Sequence, residues 1–121
     1  MKFLLTGTSV YGPLSADSDI DIVLMQEDGL KLEKYFIKTG TELSPCGLRQ
    51  DYQGFNVHIP GMPKINIIFC ENAMHFECWR YATEQMKQSA VIPDKQDRIR
   101  LFITFWDERM KRLKEASGTG N

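Results

Sequence analysis

The sequence predicts a small α/β or α+β domain, a mixed sheet with flanking helices and a helical C-terminal half. Two observations carry this. Up to Cys70 the chain is mostly short apolar runs closed by glycine, proline or acidic residues, as strands are. Beyond Cys70 the hydrophobic period lengthens from that of a strand to that of a helix, and two amphipathic patterns follow.

The elements follow in order. Lys2 to Thr6 is a short buried strand closed by Gly7. Residues 7–18 are rich in Gly, Ser, Thr, Pro and Asp and form a loop, with one helical turn at Ser9–Tyr11. Ile20 to Met25 is a second strand, with Ile20, Ile22 and Leu24 on one side and Asp19, Asp21 and Val23 on the other. Glu27-Asp28-Gly29 breaks it, and Leu30, Leu32, Tyr35, Phe36 and Ile37 give a short helical pattern ended by Gly40. Leu48 to Tyr52 is a candidate edge strand. Phe55, Val57 and Ile59 alternate with Asn56 and His58, Pro60-Gly61-Met62-Pro63 turns the chain, and Lys64 to Cys70 is another strand. If their apolar faces coincide, these two form a hairpin that sets Asn56, His58 and Asn66 on one outer face. Asn72 caps a helix running to about Met86 with Met74, Cys78, Tyr81 and Ala82 inward. Asp94 caps a last helix whose apolar stripe is Ile99, Phe102, Ile103, Trp106, Met110 and Leu113. Residues 1–116 are expected to form a single domain and residues 117–121 a frayed tail.

Composition removes several classes. The 121 residues include 15 basic and 16 acidic ones, a net charge of −1, so no global field draws the chain to nucleic acid or to an acidic membrane. No apolar run approaches the length of a membrane span. The opening Met-Lys-Phe-Leu-Leu is cut short by Thr6-Gly7-Thr8-Ser9, too early for a signal peptide, and a cytoplasmic location is expected. Cys46, Cys70 and Cys78 are odd in number and contain no CxxC pair, the usage of reduced thiols.

The chemistry concentrates between Phe3 and Leu24. Asp19 and Asp21 stand two apart on a strand and project from the same face, where paired carboxylates can share a hard cation such as Mg²⁺. Gly7-Thr8 ends the neighbouring strand, and backbone N–H groups of such a turn can hold an anion. Asp-x-Asp alone is common on solvated strand ends. The joint pattern of apolar strand, Gly7-Thr8, Gly12 and Ser18-Asp19-Ile20-Asp21 is more specific. Asp17 precedes the strand and belongs to the turn.

The stretch GTSVYGPLSADSDIDIVL resembles the signature of the DNA polymerase beta nucleotidyltransferase superfamily, especially its minimal nucleotidyltransferases. Gly7 matches the motif glycine, Thr8 stands where serine is usual and keeps the hydroxyl, and Gly12 matches the second glycine. Ser18, Asp19 and Asp21 match the metal-binding segment. The resemblance covers roughly the first 25 residues strongly and the remainder by element order. It implies a nucleotidyltransferase-like fold, Asp19 and Asp21 as Mg²⁺ ligands and catalytic residues, and Gly7, Thr8, Ser9 and Ser18 as nucleotide-binding residues. The implied activity is transfer of a nucleoside monophosphate from an NTP to an acceptor hydroxyl. The acceptor could be a protein, an RNA or a small molecule, a helical partner protein is a further expectation, and a long nucleic acid is the less favoured acceptor.

Two departures accompany the likeness. Family members commonly carry a helix before the first strand, whereas this sequence opens on the strand. They also place a third carboxylate on a later strand, and here Asn66 occupies the corresponding position. An amide is a neutral ligand and cannot take the acceptor's proton. Glu71 and Asp51 are the candidate substitutes. With a third acid two Mg²⁺ ions are expected, without it one, and the alternative is a catalytically inactive nucleotide- or partner-binding relative.

For the other polar and aromatic candidates the structural role is the expectation. His58 is read as structural before a role near Asn66 and phosphate, His75 as structural, Lys64 as solvated beside a turn before a contact to phosphate from the same face, and Arg80, Arg98 and Arg100 as helix charges with a minor claim on phosphate. Trp79, Phe102 and Trp106 fall in helical apolar patterns and are read as core. Cys46 has no histidine partner nearby in sequence.

Overall fold

The structure, a computed structural model, describes residues 2–13, 18–45 and 53–118. It is a mixed α+β fold, about half helical, with a helical C-terminal half. The strands are β1 (Phe3–Thr6), β2 (Ile20–Met25), β3 (Glu42–Pro45), β4 (Gln53–His58) and β5 (Ile65–Cys70). They form one sheet in the order β1-β2-β5-β4-β3, in which β2 and β5 run parallel and the other neighbours antiparallel. The helices are α1 (Thr8–Tyr11), α2 (Gln26–Lys38), α3 (Ala73–Gln88) and α4 (Lys95–Ala116).

Both sheet faces are covered. On one, Val23 and Ile68 pack under Phe76, Trp79, Ala82 and Met86 of α3 and Phe102 of α4, joined by Tyr11 and Leu4. On the other, Leu24, Phe55, Val57 and Ile67 pack with Leu32 and Phe36 of α2. The alternation expected for β2 is therefore observed, with Val23 in the first cluster and Ile22 and Leu24 in the second. The face carrying Asn56 and Asn66 is not an outer one. Both residues are buried, 7% and 8% exposed, because the same face continues into the α3 cluster.

The helix starts follow local chemistry. Asn72 Oδ1 accepts from the His75 N–H at 2.8 Å, and Asp94 Oδ1 from the Asp97 N–H at 2.9 Å, as N-caps do. Met74 and Tyr81 are only partly buried, whereas Phe76, Trp79, Thr83 and Met86 join Cys78 and Ala82 in the buried face of α3. Trp79 and Phe102 are core, their rings 5.3 Å apart, while Trp106 is partly buried. A buried hydroxyl pair ties β1 to α3. Thr6 Oγ1 lies 2.7 Å from Thr83 Oγ1, which itself donates to the Trp79 carbonyl at 2.8 Å.

Three elements differ from expectation. β1, expected to be buried, is an edge strand that leaves Phe3 and Leu5 exposed. β2 ends before Glu27-Asp28-Gly29 as expected, but this stretch is already the first turn of α2, where acidic residues suit the positive end of the helix dipole. Gly29 fits because its missing Cβ leaves room for the Phe69 ring. The other edge strand is Glu42–Pro45. The expected strand at Leu48–Tyr52 lies outside the described residues, as do residues 119–121 of the tail. Ser117 closes α4, its N–H bonded to the Leu113 carbonyl at 3.1 Å. Among the described residues no helix is long and apolar enough to cross a membrane.

Candidate functional site

The polar residues singled out at the start of the chain meet at one end of the sheet. Asp21 lies between Thr6 of β1 and Asn66 of β5 in the sheet register. Directly after Thr6 the backbone turns at Gly7, whose φ of 79° favours glycine. A Cβ on Gly7 would overlap Asp21 Oδ2 and sit 2.9 Å from its Cγ. Glycine is thus required twice, by conformation and by the carboxylate packed against it. The single turn of α1 follows, with the Val10 and Tyr11 N–H groups on the Gly7 carbonyl at 2.9 and 3.2 Å. Thr8 and Ser9 supply the first N–H groups of that turn, which helical geometry leaves without partners inside the helix. The Ser9 hydroxyl turns back to the Thr6 carbonyl at 3.5 Å. Ser18, partly buried, precedes Asp19 at the entrance to β2.

Asp19 and Asp21 converge on one atom. Asn66 Nδ2 donates to Asp21 Oδ1 at 2.7 Å and to Asp19 Oδ2 at 3.3 Å. Lys64 Nζ lies 3.4 Å from the same Asp19 oxygen. Burial pushes the Asp21 carboxyl above its usual range. The Asn66 hydrogen bond opposes that rise, the Asp19 charge adds to it and Lys64 opposes it. Beside them Tyr11 stacks on Phe102 at 6.4 Å, and its phenol is pushed up to about 12, by burial first and by the Asp21 charge second, against the influence of Arg98. Tyr11 therefore stays neutral at ordinary pH within electrostatic reach of Asp21.

The register extends this cluster across the whole sheet. Thr6, Asp21, Asn66, Asn56 and Ser44 are successive cross-strand partners on β1, β2, β5, β4 and β3. Two residues nearer the sheet end lie Asp19, Lys64, His58 and Glu42. Lys64 reaches Asp19, and Glu42 pairs with His58. The β3 end of these rows is internally bonded. His58 Nε2 lies 2.7 Å from Ser44 Oγ, and Asn56 Nδ2 donates to the Pro45 carbonyl at 3.2 Å. Asn56 Oδ1 is buried without a hydrogen-bond partner among the described residues. His58 is hydrogen-bonded within the sheet, and His75 packs edge-on against Trp106 at 5.4 Å.

Asn66 lies opposite Asp21 in the register and contacts both carboxylates. Glu71 does not replace it. Five residues further along, beyond the end of β5, it lies roughly 16 Å away at the rise of a strand. Asp51, Asp17 and Cys46 lie outside the described residues. Among the described residues no group of three or more His, Cys, Asp or Glu side chains could hold a metal ion. The donor chemistry nevertheless fits one hard cation, because two carboxylates converge and the Asn66 amide can offer its carbonyl oxygen as a neutral ligand. Arg80 is paired with Glu77 and Arg100 with Asp97, while Arg98 holds the Ile92 and Pro93 carbonyls at 2.9 and 2.6 Å. Cys70 and Cys78 are free and buried, and burial raises both thiols, Cys78 to about 11.

Sequence reasoning did not find the Lys64–Asp19 ion pair, the contribution of Ser44 or the orphaned Asn56 oxygen. The alternation of Asn56, His58, Lys64 and Asn66 carried part of that signal, and the strand order needed to use it did not follow from it. Comparison with known proteins finds no family model, no curated protein and no solved structure that matches the chain.

Proposed function

We propose that this chain is a nucleotidyltransferase-like protein that takes a nucleoside triphosphate with Mg²⁺ at the Gly7–Asp21 end of its sheet. The observation that carries this reading is the convergence of Asp19 and Asp21 beside a glycine turn packed onto the Asp21 carboxylate. The sequence likeness of residues 7–24 to the polymerase beta superfamily supports it. In this reading Asp19 and Asp21 hold the cation, and the N–H groups of Gly7, Thr8 and Ser9 with the Ser18 hydroxyl hold phosphate oxygens. When bound, Mg²⁺ neutralises phosphate charge and orients the α-phosphate. The reaction served is attack of an acceptor hydroxyl on the α-phosphorus. The new P–O bond forms as pyrophosphate leaves, and the hydroxyl proton passes to a base or to water. A protein acceptor, or a helical protein partner, suits the near-neutral chain better than a long nucleic acid does.

One observation favours a second reading, a nucleotide- or partner-binding protein with little or no transfer. Asn66 stands where an acid would accept the acceptor's proton, and an amide cannot. Calorimetry of ATP, GTP, CTP and UTP with and without Mg²⁺ tests the shared part. A folded protein that binds none of them refutes both nucleotide readings. Transfer of α-labelled phosphate to an acceptor then separates the two, and labelling equal in wild type and in Asp19→Asn/Asp21→Asn refutes the assigned metal role.

A further inference from the structure

Lys64 is the basic side chain that the described fold sets on the carboxylate pair. Its ammonium is 3.4 Å from Asp19 Oδ2, and the arginines considered as phosphate ligands are engaged elsewhere. We propose that Lys64 is both the built-in counter-ion of this site and a ligand for polyphosphate. In the free protein its ammonium rests on Asp19, and on binding it passes to a phosphate oxygen, taking the part of one divalent cation. The proposal rests on the nucleotide reading above and adds to it a stoichiometry of one metal ion, with a residue that supplies the remaining positive charge.

Charge and reach carry the argument. With Lys64 in place two carboxylates leave a single net negative charge where a third acid at position 66 would leave two, so the protein itself supplies less charge to hold a second divalent ion. Asn66 adds no charge to alter that balance. Lys64 directly precedes β5, at the same sheet end as the Gly7 turn. Its side chain is 41% exposed, so the ion pair is screened and exchangeable, and its four-carbon stem with three rotatable donors can move between anions.

The test uses two probes whose responses move in opposite directions. Mn²⁺ alone competes with the ammonium for Asp19, so Lys64→Gln should bind it about threefold to tenfold more tightly than wild type. Inorganic tripolyphosphate with one equivalent of Mg²⁺ gains from the ammonium, so Lys64→Gln should bind it about tenfold more weakly. Lys64→Arg keeps the charge and should resemble wild type with both probes. A merely structural ion pair predicts no such opposition. Constants that move together, or that stay put in Lys64→Gln, overturn the proposal. Nucleotide binding in wild type with both constants unchanged in Lys64→Gln removes Lys64 and leaves the nucleotide reading. Tripolyphosphate binding that depends on Lys64, without binding of any nucleotide, removes the nucleotide reading and supports Lys64.

Discussion

Gly7 offers the sharpest test of the site's construction. Gly7→Ala introduces two separable costs. Alanine at φ 79°, ψ −172°, a region essentially confined to glycine, is disfavoured by about 1–3 kcal/mol, and the new Cβ overlaps Asp21 Oδ2. To relieve the overlap the carboxylate must turn away from Asn66 Nδ2, giving up a charge-assisted hydrogen bond of 2.7 Å worth about 1.5–3 kcal/mol. Gly40 is the control. Its φ is 75°, yet a Cβ there meets nothing within 4 Å, so Gly40→Ala bears only the cost of a positive φ. The two variants should differ by about 2 kcal/mol, which at a urea m-value of about 2 kcal/mol per molar separates their midpoints by about 1 M. An internal check uses Asp21→Ala, which removes the obstructing carboxylate. In that background the cost of Gly7→Ala should fall by about 1.5–3 kcal/mol, to the backbone cost alone. Equal midpoint shifts for Gly7→Ala and Gly40→Ala in the wild-type background would refute the close approach of turn and carboxylate.

Other expectations follow from the same geometry. Asn66→Asp should destabilise the metal-free protein by about 1–3 kcal/mol, since it replaces a donor to two carboxylates by a third charge. Millimolar Mg²⁺ should restore the melting temperature, and a variant indifferent to Mg²⁺ would count against the cation site. Asp21 has a raised folded pKa, so its contribution to stability is full below its ordinary value of 3.8 and is lost as pH rises through the folded value. Asp21→Asn should therefore raise the melting temperature at pH 7, with the gain vanishing below pH 3.8. Glu77, lowered chiefly by its hydrogen bond to Arg80, contributes stability above its ordinary value of 4.5 that is lost as pH falls through the folded value. Glu77→Gln should accordingly cost stability at pH 7, and a pH scan of melting temperature should show the opposite trend to Asp21→Asn. Thr83→Val should cost about 1–2 kcal/mol in urea, and Thr6→Val/Thr83→Val should cost less than the two single changes together, because the orphaned hydroxyl is gone.

How much of this was legible in sequence depends on the range over which each signal acts. The Gly7–Tyr11 turn, the two faces of β2 and the caps Asn72 and Asp94 are written within a few residues, and the structure has them. The start of α2 is not legible because its apolar pattern begins only at Leu30, and Gln26 to Gly29 before it carry no apolar residue. Its helical state rests on a tertiary contact, the Phe69 ring against Gly29, that no local pattern contains. The edge strand Glu42–Pro45 has Leu43 alone between Glu42 and Ser44, too short an alternation to read, and ends in proline, which an edge tolerates because one side of its backbone has no ladder partner. The candidate site shows the same division. Asp19 and Asp21 were legible by spacing, and Asn66 by alternation on its strand. Their union with Lys64 depends on β5 lying parallel and directly beside β2, which is a long-range fact.

That parallel pairing also explains why the residue at position 66 sets the character of the cluster. It lies opposite Asp21 in the register and within reach of Asp19, so whatever stands there interacts with both carboxylates at once. An acid would place three negative charges in a partly dehydrated site, and a bound cation would then be needed to offset them. The amide satisfies an oxygen of each carboxylate through one nitrogen, and Lys64 adds a positive charge at the exposed side. The cation-free cluster is thereby stable in its own right, and burial still holds the Asp21 carboxyl above its usual range. A cluster complete without a cation must give up protein contacts to bind one, since the Asn66 donor and the Lys64 ammonium occupy the same oxygens. Affinity for a lone divalent ion should accordingly be low, and binding should tighten when a phosphate brings partners for the displaced donors. Cation and polyphosphate are thus expected to bind cooperatively, each lowering the other's dissociation constant by the same factor.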